Sequence, residues 1–266
     1  MNEERVRVTV DGDGVAEVAL ARPDKMNALD PAMFRGIVDA MAALRANPAV
    51  RAGVLHGEGR GFCAGLDMGS MQGLAGTPGG GVGDIVARTH GLANIWQQVA
   101  WGWRELPVPV FAAVHGVAFG GGLQVALGAD VRCVHPDAKL SVMEIKWGLV
   151  PDMAGCVLLT ELVRPDVARE LTFTGRVVSG TEAVALGLAT RLADDPLADA
   201  RAMARQVAAS NPDAIRAAKR LFNTATPVDA ARVLVAEAFE QQRLVGSPNQ
   251  REAVQAALEK RAPVFR

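Results

Sequence analysis

The chain opens on alternating apolar and polar positions. Two such runs, Val6–Val10 and Val15–Leu20, flank a turn made only of Asp and Gly, which predicts a β-hairpin. Asp30 and Pro31 then combine an N-cap residue with a proline at the first helical position, and apolar residues recur at helical spacing as far as Leu44. The N-terminal part is therefore predicted to be a hairpin followed by an amphipathic helix.

Predicted strands and helices alternate over the next part of the chain. Helical spacing beyond residue 165 is almost continuous, with prolines expected to mark breaks, and such a pattern predicts an α/β fold with a helical extension. We divide the chain into an α/β core at 1–195 and a C-terminal helical region at 196–266. The individual predictions are strands at 50–56, 107–114, 131–134 and 140–142, helices at 84–105 and from about 123, and breaks at Pro212, Pro227 and Pro248.

The amino-acid composition limits the partners, metals and compartments that we expect for the protein. Half of the 266 residues are hydrophobic and the formal net charge is −1, so no overall electric field favours nucleic acid or an anionic membrane as a partner. Three scattered cysteines and four isolated histidines lack metal-ligand spacing, and we expect a reducing cytoplasm and no metal. We also expect neither a secretory signal nor a transmembrane helix. Because tyrosine is absent, proton transfer would fall to other side chains.

Two glycine-rich turns carry the candidate chemistry. Ala64 and Gly65 belong to the first turn, and the triplet Gly120-Gly121-Gly122 forms the second, each after a predicted strand. Glycine lets a backbone approach a ligand, and a helix start presents unpaired N–H groups. One N–H from each turn would stabilise a developing oxyanion, with each donor contributing about 2.7–4 kcal/mol. Plain helix–strand packing also explains a triple glycine, so spacing alone leaves both interpretations open.

Four motifs give the chain a resemblance to a known family. Their order and spacing resemble the crotonase (enoyl-CoA hydratase/isomerase) superfamily over essentially the whole chain. The motifs are Asn27-Ala28-Leu29, the heptapeptide from Gly61 to Asp67, His115-Gly116 through Gly120-Gly121-Gly122, and the pentapeptide from Gly148 to Asp152.

The resemblance implies a fold, an assembly and a ligand. The fold would be a crotonase-like (ClpP-like) spiral of ββα units with a C-terminal helical trimerisation region. The assembly would be a homo-oligomer, either a trimer or a dimer of trimers. The ligand would be an acyl-CoA thioester whose carbonyl is held by the N–H groups of Ala64 and Gly121, with CoA as part of the substrate and no separate cofactor.

The acid–base positions favour one reaction of that family. By resemblance, hydratases use two glutamates, and the corresponding positions here are Gln124 and Glu144. A carboxamide orients water but exchanges no proton near neutral pH, so a single base remains. We predict double-bond isomerisation with Glu144 moving the proton. Two alternatives stay open: a hydratase in which Gln124 orients water, and a non-catalytic acyl-CoA-binding protein. Without the resemblance, Glu144 would be read as a solvated surface carboxylate.

Asp152 has two interpretations. Family isomerases that act on dienoyl-CoA place an aspartate there, but they also carry an acid at the position of Gln124. As the N-cap of a helix beginning near Met153, Asp152 would need no catalytic role.

The CoA-binding positions come from the resemblance alone. Arg22, Lys25 and Ala28 would form one wall of the site, and Lys260 and Phe265 would cover the nucleotide. The opposite wall would be formed by Ala64, Gly65, Leu66, Asp67 and Met68, and Gln124 is also predicted to contact the substrate.

Overall fold

The predicted hairpin begins the larger of two sheets. The computed structural model describes residues 4–70, 72, 84–224 and 229–264. In it β1 (Val6–Val10) pairs antiparallel with β2 (Val15–Leu20), as predicted. Parallel strands then extend the sheet in the order β1-β2-β3-β4-β6-β9. These strands are β3 (Ala52–Gly57), β4 (Val110–Val114), β6 (Val131–Val134) and β9 (Arg191–Leu192).

A second, smaller sheet gives the chain its spiral. It orders β5 (Val117–Phe119), β7 (Lys139–Ser141) and β8 (Val178–Ser179), with β5 parallel to β7. In each of two successive units, the first strand joins the large sheet, the second joins the small sheet, and a helix follows. The predicted spiral of ββα units is therefore confirmed.

The helices lie outside these sheets and dominate the C-terminal third. None of the described helices is long and apolar enough to cross a membrane. Short 3-10 helices occur at Pro23–Lys25 and Glu144–Trp147. The α-helices are α1 (Pro31–Ala46), α2 (Ile95–Glu105), α3 (Gly121–Leu127), α4 (Gly155–Leu162), α5 (Pro165–Thr174), α6 (Gly180–Leu186), α7 (Pro196–Ala208), α8 (Pro212–Thr224), α9 (Ala230–Leu244) and α10 (Pro248–Glu259).

Two helix predictions need different boundaries. The helix predicted over 84–105 begins only at Ile95, because Asn94 and Gln97 form a capping box in which each side chain accepts a hydrogen bond from the other's backbone N–H. Pro212 and Pro248 are the first residues of α8 and α10, so they start helices as well as ending the preceding pattern. Pro227 lies outside the described residues.

Helices cover both faces of the large sheet. α1 and α2 pack on one face and contribute to the main hydrophobic core. On the other face, Ala200 and Ala204 of α7 pack against Val54 and Phe111. Small side chains let this helix lie close to the strands. The division at 195/196 stays a prediction, and the first helix beyond it covers the sheet of the core.

Candidate active site

A cavity of about 610 Å3 lies beside the two glycine turns. Its charged lining residues form two groups. We call Arg22, Asp24, Lys25 and Asp67 the rim, and we call the buried carboxyl groups of Glu144 and Asp152 the inner acids. The rest of the lining is mainly apolar and includes Phe34, Leu66, Met68, Ile85, Trp96, Phe119, Met143, Trp147, Leu149, Met153 and Val245.

Most residues predicted for the site meet at this cavity. Gln124 lies behind its wall, Lys260 is exposed and does not line it, and Phe265 is outside the described residues. The predicted residues that do line the cavity are Arg22, Lys25, Ala28, Ala64, Gly65, Leu66, Asp67, Met68, Gly121, Glu144 and Asp152.

Strand β5 brings the two turns together. The Cys63 N–H donates to the Val117 carbonyl at 3.0 Å, and the Phe119 N–H donates to the Cys63 carbonyl at 3.1 Å. Gly65 has φ +89°, and a Cβ there would lie 2.6 Å from the Phe119 carbonyl oxygen and 3.7 Å from the Gly121 nitrogen. Only glycine tolerates this conformation and this contact. The predicted meeting of the two turns is therefore found in the structure.

The first oxyanion donor is not the one predicted. The Ala64 N–H already donates to the Met26 carbonyl at 2.9 Å, so the prediction that it serves a ligand is wrong in this structure. Leu66 forms a single parallel β-bridge with Leu29. In this bridge the Leu29 N–H donates to the Gly65 carbonyl and the Leu29 carbonyl accepts the Asp67 N–H, so neither bond uses the Leu66 N–H. The Leu66 N–H consequently has no acceptor among the described residues.

The other predicted donor, the Gly121 N–H, is free to meet a ligand. It is the first residue of α3, so its N–H has no partner within the helix, and no acceptor bonds it elsewhere in the described part of the chain. Leu66 and Gly121 both line the cavity. Both free N–H groups are therefore available to a ligand bound in the cavity.

Glu144 lies next to this donor pair. Its Oε1 accepts a hydrogen bond from Gln124 Nε2 at 2.6 Å, and a Cβ at Gly120 would be only 3.1 Å from Oε1. Its Oε2 is buried without a hydrogen-bond partner in the part of the chain that the structure describes. Burial raises the pKa of the carboxyl group to about 7, against a smaller opposing effect of the Gln124 hydrogen bond. The group is thus suited to exchange protons near neutral pH.

Gln124 orients Glu144 from behind the cavity wall. The amide is buried, and its Oε1 accepts the Met153 N–H at 2.9 Å while its Nε2 donates to Glu144. Because both ends of the amide are used, the predicted substrate-binding role of Gln124 is corrected to a role in holding the Glu144 carboxyl group.

Asp152 is not a helix cap. α4 begins at Gly155, and its N-cap is Ala154 in the left-handed conformation, so the N-cap interpretation is wrong. The Asp152 carboxyl group is buried and lines the cavity. Burial, followed by the negative charges of Glu237 and Glu144, raises its pKa well above the usual range. Its part in proton transfer stays a prediction.

Two of the four rim groups, Arg22 and Asp67, are already paired. Arg22 Nη1 lies 2.8 Å from an Asp67 carboxylate oxygen and 3.4 Å from Asp30, and it donates to the Ala28 carbonyl at 3.2 Å. Lys25 is exposed and makes no ion pair with any described residue. Lys25 therefore remains available to a ligand phosphate, whereas Arg22 ties the two predicted walls together.

Sequence analysis missed the roles of two buried polar residues. Asn27 adopts φ +56°, and its Nδ2 donates to the carbonyls of Glu58, Gly61 and Phe62, which fixes the first glycine turn. Glu237 of α9 is also buried, and its carboxylate accepts backbone N–H groups at the start of α4. The available signal for Glu237 was an acid on the apolar stripe of a predicted helix.

The described residues offer no cluster of three or more His, Cys, Asp or Glu side chains arranged for a metal ion. Cys63 lies beside the first turn, and burial raises its thiol pKa to about 12. This thiol is therefore a packing group of low reactivity.

The chain is similar in sequence and in fold to known proteins over nearly its whole length. A family model described as enoyl-CoA hydratase/isomerase matches residues 11–266. A human protein named enoyl-CoA hydratase domain-containing protein 2, mitochondrial, is 32% identical, with 99% of this chain and 90% of that protein covered. A putative enoyl-CoA hydratase of Thermus thermophilus is 32% identical over 97% of this chain and 100% of its own length. The crystal structure of an enoyl-CoA hydratase/isomerase from Mycobacterium paratuberculosis is 27% identical, with a TM-score of 0.85 and coverage of 95% and 98% of the two chains.

Proposed function

This chain belongs to the enoyl-CoA hydratase/isomerase family, and we propose that within it the protein shifts the double bond of an enoyl-CoA thioester, with Glu144 moving the proton. One observation carries the proposal: Glu144 lies beside the free Leu66 and Gly121 N–H groups, while Gln124 is engaged in holding it.

The reaction begins at the thioester carbonyl. Its oxygen accepts hydrogen bonds from the Leu66 and Gly121 N–H groups, which stabilise the negative charge that develops there. Each such donor typically contributes about 2.7–4 kcal/mol to the transition state. Lys25 binds a phosphate of the CoA part of the substrate. The reaction requires no further cofactor.

Glu144 then carries the proton. From a 3-enoyl thioester, its carboxylate removes a proton from C2, and the electron pair delocalises into a dienolate with the charge on the thioester oxygen. The protonated Glu144 returns the proton to C4, which leaves the double bond between C2 and C3. A general base in this position contributes about 10²–10⁴-fold to the rate.

The hydratase alternative now depends on Asp152. Hydration needs a group to activate water and a group to protonate C2, and the Gln124 amide exchanges no proton near neutral pH and does not line the cavity. Asp152 lines the same cavity as Glu144, and this second acid is the observation that favours hydration. The alternative is therefore an enzyme with an Asp152–Glu144 pair.

Isotope labelling distinguishes these functions. We would incubate the protein with 2-enoyl and 3-enoyl thioesters in deuterated water and locate the label by NMR. Deuterium at C4 or C2 without added oxygen is expected. Oxygen added at C3 would favour the hydratase, and tight binding of both thioesters without turnover, unchanged in Glu144→Ala, would establish a non-catalytic binding protein.

We also retain the prediction of a homo-oligomer. Leu221 and Phe222 of α8 are 71% and 77% exposed, which supports burial against another copy of the chain. Light scattering coupled to size exclusion tests this assembly, and a monomer at micromolar concentration would contradict it.

A further inference from the structure

Glu237 is a buried acid whose partners are amides. Its Oε1 accepts the Cys156 N–H at 2.8 Å, and its Oε2 accepts the Ala154 N–H at 3.0 Å. Gln97 Nε2 approaches Oε2 at 3.3 Å. No Lys or Arg of the described segments forms an ion pair with this carboxylate. Burying a carboxylate costs free energy unless it is hydrogen-bonded, so a position with this set of bonds points to a specific task.

That task concerns the turn at 152–154, which begins with one of the inner acids. Ala154 has φ +63°, an uncommon conformation for a residue with a side chain, and Glu237 holds its N–H. The neighbouring Met153 N–H donates to Gln124 Oε1 at 2.9 Å. A single strained turn is thus fixed from one side by Glu237 and from the other by Gln124.

The hydrogen bonds continue to the base of the proposed reaction. Gln124 Nε2 donates to Glu144 Oε1 at 2.6 Å, and its Oε1 is held by Met153. A displaced Met153 would let the Gln124 amide rotate or shift. The Glu144 carboxyl group would then lose the partner that sets its orientation toward Gly120.

We infer that Glu237 is a positioning residue of the proton-transfer site, which fixes the turn at 152–154 and, through Met153 and Gln124, the carboxyl group of Glu144. Helix α9, in the C-terminal third of the chain, is then part of the reaction apparatus as well as a packing element. The inference rests on the proposed function for its assay.

The titratable groups around Glu237 lie on several elements. Asp152 precedes α4, the Cys156 thiol lies on α4, and Arg88 lies in the turns before α2. Arg88 also donates to Gln97 Oε1 at 2.7 Å, so Gln97 links the guanidinium to Glu237. Glu144 lies on the other side of Asp152 and adds to its negative surroundings. Burial raises the pKa of Glu237 itself to about 7, so above that pH the substitution of Glu237 by a neutral residue removes one of the two charges that raise the pKa of Asp152.

The first test is Glu237→Gln. The substitution keeps the size of the side chain but replaces one of its two acceptor oxygens with an NH2 group. This NH2 group then faces a backbone N–H and cannot accept its hydrogen bond. We expect kcat to fall about 10–100-fold with KM changed by less than about threefold, because small misplacements of reacting groups have effects of this size. If Asp152 acts in its protonated form, the alkaline limb of the kcat profile also moves to lower pH.

Asp130→Asn is the matched control. It neutralises another carboxylate with a buried partner, the Lys219 ammonium group at 2.7 Å, and neither residue lines the cavity. We expect it to lower Tm without changing kcat. Glu237→Asp keeps the charge with a shorter side chain, so it provides a second variant with a milder loss should Glu237→Gln fold poorly.

A double-mutant cycle with Gln124→Ala gives the decisive readout. If Glu237 acts through Gln124, the effect of Glu237→Gln on kcat should shrink at least about threefold in the Gln124→Ala background. Equal effects in both backgrounds, or a lowered Tm with wild-type kcat and pH profile, would overturn the inference. An inactive wild-type protein would contradict the proposed function instead, so the two failures are distinguishable.

Discussion

The rim and the inner acids use the same carboxyl chemistry in opposite ways. At the rim, Arg22 lies 2.8 Å from Asp67, and it also lies 3.4 Å from Asp30, which does not line the cavity. These ionised pairs hold two chain segments together. Glu144 and Asp152 are buried without a cationic partner among the described residues, and burial raises the pKa of both. Charge pairing fixes a carboxylate in one state, whereas unpaired burial prepares it to change state. The difference supports our proposal that the rim binds the substrate and that Glu144, one of the inner acids, transfers the proton.

Removing the inner base should have the largest effect. Glu144→Gln keeps the volume and the bond to Gln124 but cannot accept a proton, so we expect kcat to fall about 10³-fold. Turnover of a 3-enoyl thioester is followed by absorbance, and acyl-CoA affinity is measured by calorimetry. Affinity should change little. Wild-type turnover in this variant would assign the proton transfer to another group and contradict the proposed division between the rim and the inner acids.

Separating the two turns should have the next largest effect. Gly65→Ala places a Cβ 2.6 Å from the Phe119 carbonyl at φ +89°, which forces the Leu66 and Gly121 N–H groups apart. Losing one oxyanion donor costs about 10²–10³-fold in kcat, and we expect about 10²-fold here. The control is Gly12→Ala, where nothing lies within 4 Å of the new Cβ. Equal activity of both variants would show that the turns do not act together.

The inner acids should also give the activity a pH dependence. Glu144 must be ionised to accept the proton from C2, so kcat should fall about tenfold per pH unit below its pKa of about 7. A stopped assay between pH 5 and 9 measures the profile. A fall in kcat centred near pH 4.5 instead would mean that the pKa of Glu144 is not raised, because water reaches the carboxyl group in solution.

Stability should show the opposite trend with pH. Burial raises the pKa of Glu144 from its ordinary value of 4.5 to about 7 in the folded protein, so the folded protein binds more protons than the unfolded chain between these two pH values. Its contribution to the free energy of unfolding therefore decreases as pH rises from about 4.5 to about 7. Glu144→Gln should remove this loss, which is on the order of 2 kcal/mol, and urea unfolding at pH 5.5 and 8 measures it.

Much of the fold was predictable because local patterns determined it. The hairpin and α1 follow from alternation and from an Asp30 cap, whose carboxylate accepts the Met33 N–H at 2.7 Å. The choice between Ala64 and Leu66 as donor was not predictable in this way. It depends on the register of one isolated bridge between distant segments, which shifts the free N–H by two residues.

Glu237 escaped prediction for a related reason. Its partners are backbone N–H groups of α4, and backbone groups have no residue signature in a sequence. Glu144 could be predicted to lie near the two glycine turns because successive motifs of the chain occupy successive units of the spiral. The correction of Gln124 from a substrate-binding residue to a support for Glu144 required knowledge of its hydrogen-bond partners.

A change at the rim should have the smallest effect and completes the comparison. Arg22→Met breaks partly exposed ion pairs with Asp67 and Asp30, and such pairs contribute about 0.2–1 kcal/mol each. Arg22 joins the walls but does not contact the reacting carbons. We therefore expect KM for the acyl-CoA to rise about two- to fivefold, with kcat unchanged. Arg35→Met, an exposed change on α1, is the control and should alter neither constant. A loss in kcat comparable to that of Glu144→Gln would mean that the rim also sets the position of the reacting groups, and the division between binding and proton transfer would fail.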